Sequence, residues 1–359
     1  MLFAIIVLTY FLTIQQISYY VDLRSEKYFQ YFVVLLSFII LDLLRVYCQA
    51  YFPDIPNYKE VFDETPSIYN FIKGGYGIEY FDNVVELGFS FFISFFKNFS
   101  NSYSLFLFLI SVIELVCFYY FCRKFQINLV NAIPIYFAFT FVTFQIGMLR
   151  QALAFCFFLF ALININKKAL FFILIIIGVA LHTSILFCLL FFWVDRYVNR
   201  KIFYAIFLLS LLLYLFQIDL IGTYLPILQL GDSIRTAKVG YYLNVDRPNS
   251  FLGIGFWERI VSFILLNVIY SKLSFYNKIT KFNNIIYNLG IVVILLQMIF
   301  FSSPTITSRL RYYIVIFPAL FISEYIFSDI EDDFKWIYQL LFSLYLYMYL
   351  FLLATYLIE

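Results

Sequence analysis

Apolar runs of sixteen to twenty-two residues recur along this chain with short polar breaks between them. They lie near 2–20, 31–50, 103–122, 131–146, 150–165, 202–220, 257–272, 286–302, 309–327 and 336–357. A helix rises about 1.5 Å per residue, so about 20 residues cross a hydrocarbon layer ~30 Å thick. Several runs sit near the lower limit for a crossing. Backbone polar groups in hydrocarbon must pair internally, which helices achieve. The chain is 64% hydrophobic and 13% charged, more apolar surface than a soluble core absorbs. The expectation is an all-α polytopic membrane protein with about ten transmembrane helices. With no repeat and no Pro/Gly/Ser linker, one transmembrane domain over 1–359 is expected. A net charge of only +2 gives no case for nucleic acid. The first run is apolar from Leu2, lacks a basic leader and a small-residue cleavage site, and reads as an uncleaved span. Cys48, Cys117, Cys122, Cys156 and Cys188 fall in apolar runs without paired spacing and read as buried, inert thiols.

Lys and Arg in short loops orient such a chain. Arg24 and Lys27 set the first loop inside and leave 51–102 as an external segment. That segment carries Asp54, Glu60, Asp63, Glu64, Glu79, Asp82 and Glu86 against Lys59, Lys73 and Lys97, the acidic balance expected outside. The stretch 169–193 decides the rest. A single crossing exports Arg196, Arg200, Lys201, Lys272, Lys278 and Lys281. A stretch that enters and returns near His182 keeps them inside, with protein or a water-filled cavity around its tip. The returning arrangement, a re-entrant or broken helix, is therefore expected. The loop 222–256 becomes the second external segment. Its Tyr224, Tyr241 and Tyr242 suit sugar faces and a membrane interface alike.

This topology sorts the cations. Nine Lys and four Arg fall inside, against four Lys and seven Arg at or near the outer face. Those arginines are Arg45, Arg150, Arg235, Arg247, Arg259, Arg309 and Arg311. A guanidinium keeps its charge and offers a donor fork matched to phosphate, so a polyanionic ligand at the outer face is expected. Gln145, Arg150, Gln151 and His182, the chain's one histidine, sit within otherwise continuous hydrocarbon. An ionisable group there costs about 2.5–3.5 kcal/mol on insertion scales and marks a site by default. Arg150, Arg309 and Arg311 are the first candidates to stabilise charge on a leaving phosphate, with Arg45 and Arg259 behind them. His182 is the candidate proton acceptor. Glu86 and Asp54 compete for that role or orient an arginine. Gln145 and Gln151 hold hydroxyls or phosphate oxygens, or bond between helices. Each has a bland reading beside it: arginines snorkel to the interface, and membrane histidines are satisfied by helix packing. The acidic run from Asp329 to Asp333 lacks metal-ligand spacing and reads as a solvated turn.

These residues resemble the EpsG-like polysaccharide polymerases, related in role to O-antigen polymerases, over roughly residues 40–315. The likeness rests on Arg45 followed by Asp54 and Tyr58, on Glu86-Leu87-Gly88-Phe89, on Gln145 with Arg150-Gln151, and on His182 with Ser184. Arg309 and Arg311 before a tyrosine-flanked span complete it. Phe52-Pro53 stands where the family tends to place a glycine before the early aspartate. The resemblance implies a metal-independent glycosyltransferase without a cofactor, at the outer face of the bacterial inner membrane. It would move a growing glycan from undecaprenyl pyrophosphate onto a new lipid-linked repeat unit, building O-antigen, as in lipopolysaccharide, or exopolysaccharide. Expected partners are undecaprenyl-pyrophosphate-linked oligosaccharides and the lipid bilayer, with room for a chain-length regulator protein. The expected catalytic set is His182, Arg150 and Glu86. Arg45, Asp54, Gln145, Gln151, Arg259, Arg309, Arg311 and Tyr241 are expected at substrate. An O-antigen ligase and a lipid-linked oligosaccharide flippase are the alternatives, the latter weakened by the lack of a repeat.

Overall fold

A computed structural model describes residues 27–47, 54–73, 86–140, 147–218, 254–301 and 312–326, with a few more between 328 and 342. Among these residues every element is helical. The chain forms two compact units, 1–192 with 326–359, and 193–325. The first unit contains α1 (Lys27–Tyr47), α2 (Asp54–Glu64), α3 (Ile68–Lys73), α4 (Leu87–Phe96) and α5 (Tyr103–Phe125). It continues through α6 (Leu129–Tyr136), α7 (Leu149–Ile163) and α8 (Lys168–Leu181) into a 3-10 segment, Thr183–Phe191.

Short polar residues cut the apolar sequence into helices. The Ser102 hydroxyl accepts from the Leu105 N–H at 3.4 Å to start α5, which stops at Gln126 in a left-handed conformation (φ 58°). Asn128 then caps α6 by accepting from the Val130 N–H at 3.0 Å. Each cap satisfies a backbone donor the helix leaves unpaired. Pro134 lies inside α6 and removes one backbone donor; beyond it the helix widens into a π turn over 137–140.

Two described helices, α5 and Lys281–Ile299, are long and apolar enough to cross a membrane, against the ten or so expected. Leu87–Phe96, Leu129–Thr140, α7, α8 and Ile316–Ile326 are apolar but shorter. Hydropathy marks runs, while proline, caps and bends decide where a run breaks. The expected first span 2–20 and most of 336–357 lie outside the described residues.

The stretch 169–193 breaks at His182, where the backbone is extended (φ −159°, ψ 124°). The chain then turns back. The Lys168 ammonium donates to the Phe192 carbonyl, and the Phe172 and Phe192 rings lie 5.8 Å apart, so both arms end together. Fourteen residues of α-helix reach about 21 Å and nine of 3-10 helix about 18 Å, a matched pair. The arms lie close at Gly178, where an added Cβ would stand 2.6 Å from the flexible end of Ile185 on the returning arm. Nine residues is long for a 3-10 helix, whose bonds are poorer than α-helical ones. This arm packs on α7 and α8.

In the first unit α1 packs on α5 and α6, α7 on α5 and α8, and α4 on α8. Buried rings fill the space between α2, α4 and α5, with Phe62 against Phe96, Tyr103 and Phe106 at 5.2–6.2 Å. Arg45 on α1 is fully buried there. Its Nη2 meets both carboxylate oxygens of Glu114 on α5 at 2.9 Å, and its Nη1 donates to Ser111 at 2.6 Å. Each ion alone would be prohibitive at this depth; paired, they join α1 to α5.

The second unit comprises α9 (Arg200–Leu215), α10 (Ile254–Phe275), α11 (Lys281–Ile299) and α12 (Ile316–Ile326). Asn199 and Thr280 cap α9 and α11. Stacked rings join α9 to α10, Phe207 on Phe263 at 3.8 Å and Tyr214 on Phe256 at 4.8 Å. Asn288 donates to the carbonyls of Val194 (2.8 Å) and Arg196 (3.1 Å), and Asn284 also bonds Arg196 (3.0 Å). These amides hold the loop before α9 onto α11.

Candidate functional site

The site is assembled in the first unit where the short helix α4 meets the tip of the 169–193 hairpin. Gly88 permits the approach: a Cβ there would lie 2.4 Å from the Ala180 carbonyl oxygen and 2.8 Å from its Cβ. With nothing but hydrogen at that position, α4 lies directly on the last turn of α8. Glu86, two residues earlier and at the N-terminal end of α4, is thereby carried to the hairpin tip. It is the residue around which the cluster closes.

The Glu86 carboxylate receives three donors. Oε2 accepts from Arg150 Nη1 at 2.5 Å, on the first turn of α7. Oε1 meets His182 Nδ1 at 2.6 Å and accepts from the Thr183 N–H at 3.3 Å. The three side chains are mostly enclosed, at 16% exposure for Glu86, 19% for Arg150 and 10% for His182. A carboxylate only accepts, so Nδ1 is the donor to Glu86, and Nε2 is the ring nitrogen left to take up a proton whenever the imidazole is neutral. A buried, paired and hydrogen-bonded carboxylate is held ionised by its partners. Such an arrangement orients the imidazole and leaves proton acceptance to Nε2, the logic of a carboxylate–histidine pair.

Arg150 has a second partner. Its Nε donates to the Tyr58 hydroxyl at 3.4 Å, and its guanidinium stands 5.6 Å from the Tyr58 ring centroid. Tyr58 projects from α2 and packs edge-on against Phe89 of α4 at 5.9 Å. The arginine is thus fixed from two sides, which lowers the entropy lost when it meets a further anion. Gln151 is buried beside it in sequence; its Nε2 donates to Ser184 at 3.4 Å, just past the hairpin tip. Gln151 Oε1 is buried and has no hydrogen-bond partner among the described residues.

The structure therefore brings together the three residues expected to be catalytic, His182, Arg150 and Glu86, with Gln151 next to them through Ser184. Asp54 is the first residue of α2, one turn before Tyr58, and its side chain lies outside the described set. Arg45 stands apart from the cluster's bonds. Its guanidinium is engaged by Glu114 and Ser111, which ties α1 to α5. Arg259 lies half-buried on α10 of the second unit. Gln145, Tyr241, Arg309 and Arg311 fall outside the described residues. Sequence reading did not assign Tyr58, Thr183 or Gly88 a role at the site. Tyr58 and Gly88 stood in the quoted motifs; nothing in the sequence marked the Thr183 N–H as a donor.

The cluster pairs a fixed cation with an oriented imidazole inside a mostly enclosed space. It can hold an anionic oxygen at Arg150 while Nε2 of His182 accepts a proton nearby. No curated protein and no solved structure matches the chain. The model of the EpsG family matches residues 34–359, nearly the whole chain. The chain belongs to the EpsG family, a polysaccharide-polymerase-like family of membrane proteins.

Proposed function

We propose that this protein is a multi-pass glycosyltransferase of the bacterial inner membrane, without metal, that polymerises lipid-linked oligosaccharide repeat units at the outer face. The observation that carries the reading is Glu86 bridging Arg150 and His182. In this reaction the bond from the anomeric carbon to the pyrophosphate oxygen breaks and a bond to the acceptor hydroxyl oxygen forms. Arg150 stabilises the charge developing on the departing pyrophosphate, where low dielectric strengthens each contact. The acceptor's proton passes to His182 Nε2. Glu86 keeps the imidazole in the accepting tautomer and stabilises its charge once protonated. Gln151, with its buried carbonyl oxygen, meets a sugar hydroxyl. By residue type alone, Gln145, Asp54, Arg259, Arg309, Arg311 and Tyr241 are further candidates for contact with pyrophosphate and sugars. In this reading His182, at the tip of the 169–193 hairpin, lies near mid-membrane, with Lys167 and Lys168 on the cytoplasmic side. The substrates are undecaprenyl-pyrophosphate-linked oligosaccharides, and a chain-length regulator protein is a natural partner.

The test is the glycan ladder of a deletion strain complemented with Arg150→Ala or His182→Ala, with membrane levels checked by immunoblot. Both variants are expected to insert normally and leave single repeat units on the core or carrier with no long-chain polymer. Full-length polymer from either variant at normal expression overturns the assignment of that residue. Absence of even a single repeat on the core points to the ligase reaction instead.

A further inference from the structure

The second unit carries a further feature on α9 and α10. Along α10 the exposed residues Trp257, Val261, Ile264 and Val268 follow helical spacing and form one apolar stripe. Ile202, Tyr204, Leu208, Leu209 and Leu212 do the same for the outward face of α9. Between the two helices runs an open groove of about 350 Å³, floored by Phe263 and walled by Tyr204, Ile264 and Val268. Its lining is apolar along most of its length and turns polar at one end, at Asn267, Ser271 and Lys272.

That end is cationic. Arg200 donates one N–H to the Ser271 hydroxyl of the groove lining at 2.6 Å and stands 5.4 Å from the Tyr270 ring centroid; a guanidinium carries four further N–H donors. No carboxylate among the described residues pairs with Arg200. Arg196, Lys201, Lys278 and Lys281 belong to the same ends of α9, α10 and α11; Asp195 faces Lys281 at 3.6 Å, and Lys272 Nζ stands 5.9 Å from the Tyr325 ring centroid of α12, next to Glu324. A hydrocarbon-lined channel that opens on cations has the polarity of one molecule type. We propose that this groove binds an anionic glycerophospholipid, with the headgroup phosphate at Arg200, Ser271 and Lys272 and one acyl chain along Tyr204, Phe263, Ile264 and Val268.

Interfacial basic residues attract anionic lipids, and here a serine hydroxyl and a fixed guanidinium add geometry to that attraction. The experiment uses the purified full-length protein in detergent, titrated with phosphatidylglycerol or phosphatidylcholine and read by native mass spectrometry. Phosphatidylglycerol is expected to bind in preference to phosphatidylcholine, and Lys272→Gln and Arg200→Gln are each expected to weaken it about fivefold. Val268→Trp, an exposed position that tolerates bulk, is expected to exclude both lipids from the groove and covers the case in which Arg200→Gln fails to fold. Equal retention of the two lipids overturns the proposal, as does unchanged selectivity in Lys272→Gln. Stabilisation by inorganic phosphate alone, or tighter binding of undecaprenyl phosphate than of phosphatidylglycerol, assigns the groove to another ligand and also overturns it.

Discussion

Replacing Gly88 by alanine tests how the site is built without touching any of its functional groups. The added methyl would stand 2.4 Å from the Ala180 carbonyl oxygen, whereas side-chain Cβ atoms stay beyond 3.0 Å and mostly beyond 3.4 Å. Because the obstacle is backbone, α4 must retreat by the difference, about 0.6–1.0 Å. Glu86 rides on the same helix end. Its 2.6 Å contact to His182 Nδ1 opens to about 3.2–3.6 Å, at or past the limit of a hydrogen bond. Misplacement of about 1 Å at a reacting centre costs about a hundredfold, or about 2.7 kcal/mol of barrier. The assay is polymer synthesis in a complemented deletion strain, normalised to membrane-inserted protein. Gly178→Ala is the control on the same hairpin. Its methyl meets Ile185 Cδ1 at 2.6 Å, the far end of a flexible side chain that can turn away, so only a small loss is expected. Wild-type polymer from Gly88→Ala at equal expression, or equal losses from both variants, refutes the argument that this close approach positions Glu86.

The buried pair on α1 and α5 makes a different prediction, read in stability. Glu114→Gln leaves Arg45 charged in a dry interior and is expected to cost about 3–5 kcal/mol, seen as lost folded yield in detergent. The double change Arg45→Met with Glu114→Leu is expected to recover most of it, and failure to recover refutes a purely structural role for the pair. For the hairpin, single cysteines at Lys167 and Trp193 are expected to react with an impermeant maleimide from the same membrane side. Labelling from opposite sides refutes the reversal at His182.

Much of the cluster was legible because hydrocarbon makes charge conspicuous. Arg150, Gln151 and His182 stand out in an apolar run, since their burial is worthwhile only at a site or in a satisfied pair. The reversal near His182 was legible from the basic loops that a single crossing would have exported. Glu86 was named as a base or an arginine's partner, but that it meets both Arg150 and His182 was not legible: it lies 64 residues from one and 96 from the other, and only packing through Gly88 closes those distances. Arg45 shows the converse. Its sequence context resembled that of Arg150, and its partner Glu114 sat unremarked in another apolar run 69 residues away. Two opposite charges in separate spans are as readable as one, but nothing in one dimension says which cation takes which anion.

By itself the sequence determined the solvent this protein is built for, because apolar runs of this length leave the backbone no option but helix. It also determined which few side chains were too polar for their surroundings. Only the tertiary structure decided how those side chains divide. Arg45 is spent on holding two helices together, while Arg150 and His182 share one carboxylate at the tip of a hairpin. The reason is physical: an ion in a dry interior is stabilised by whichever partner lies within about 3 Å, and such proximity is a property of packed helices.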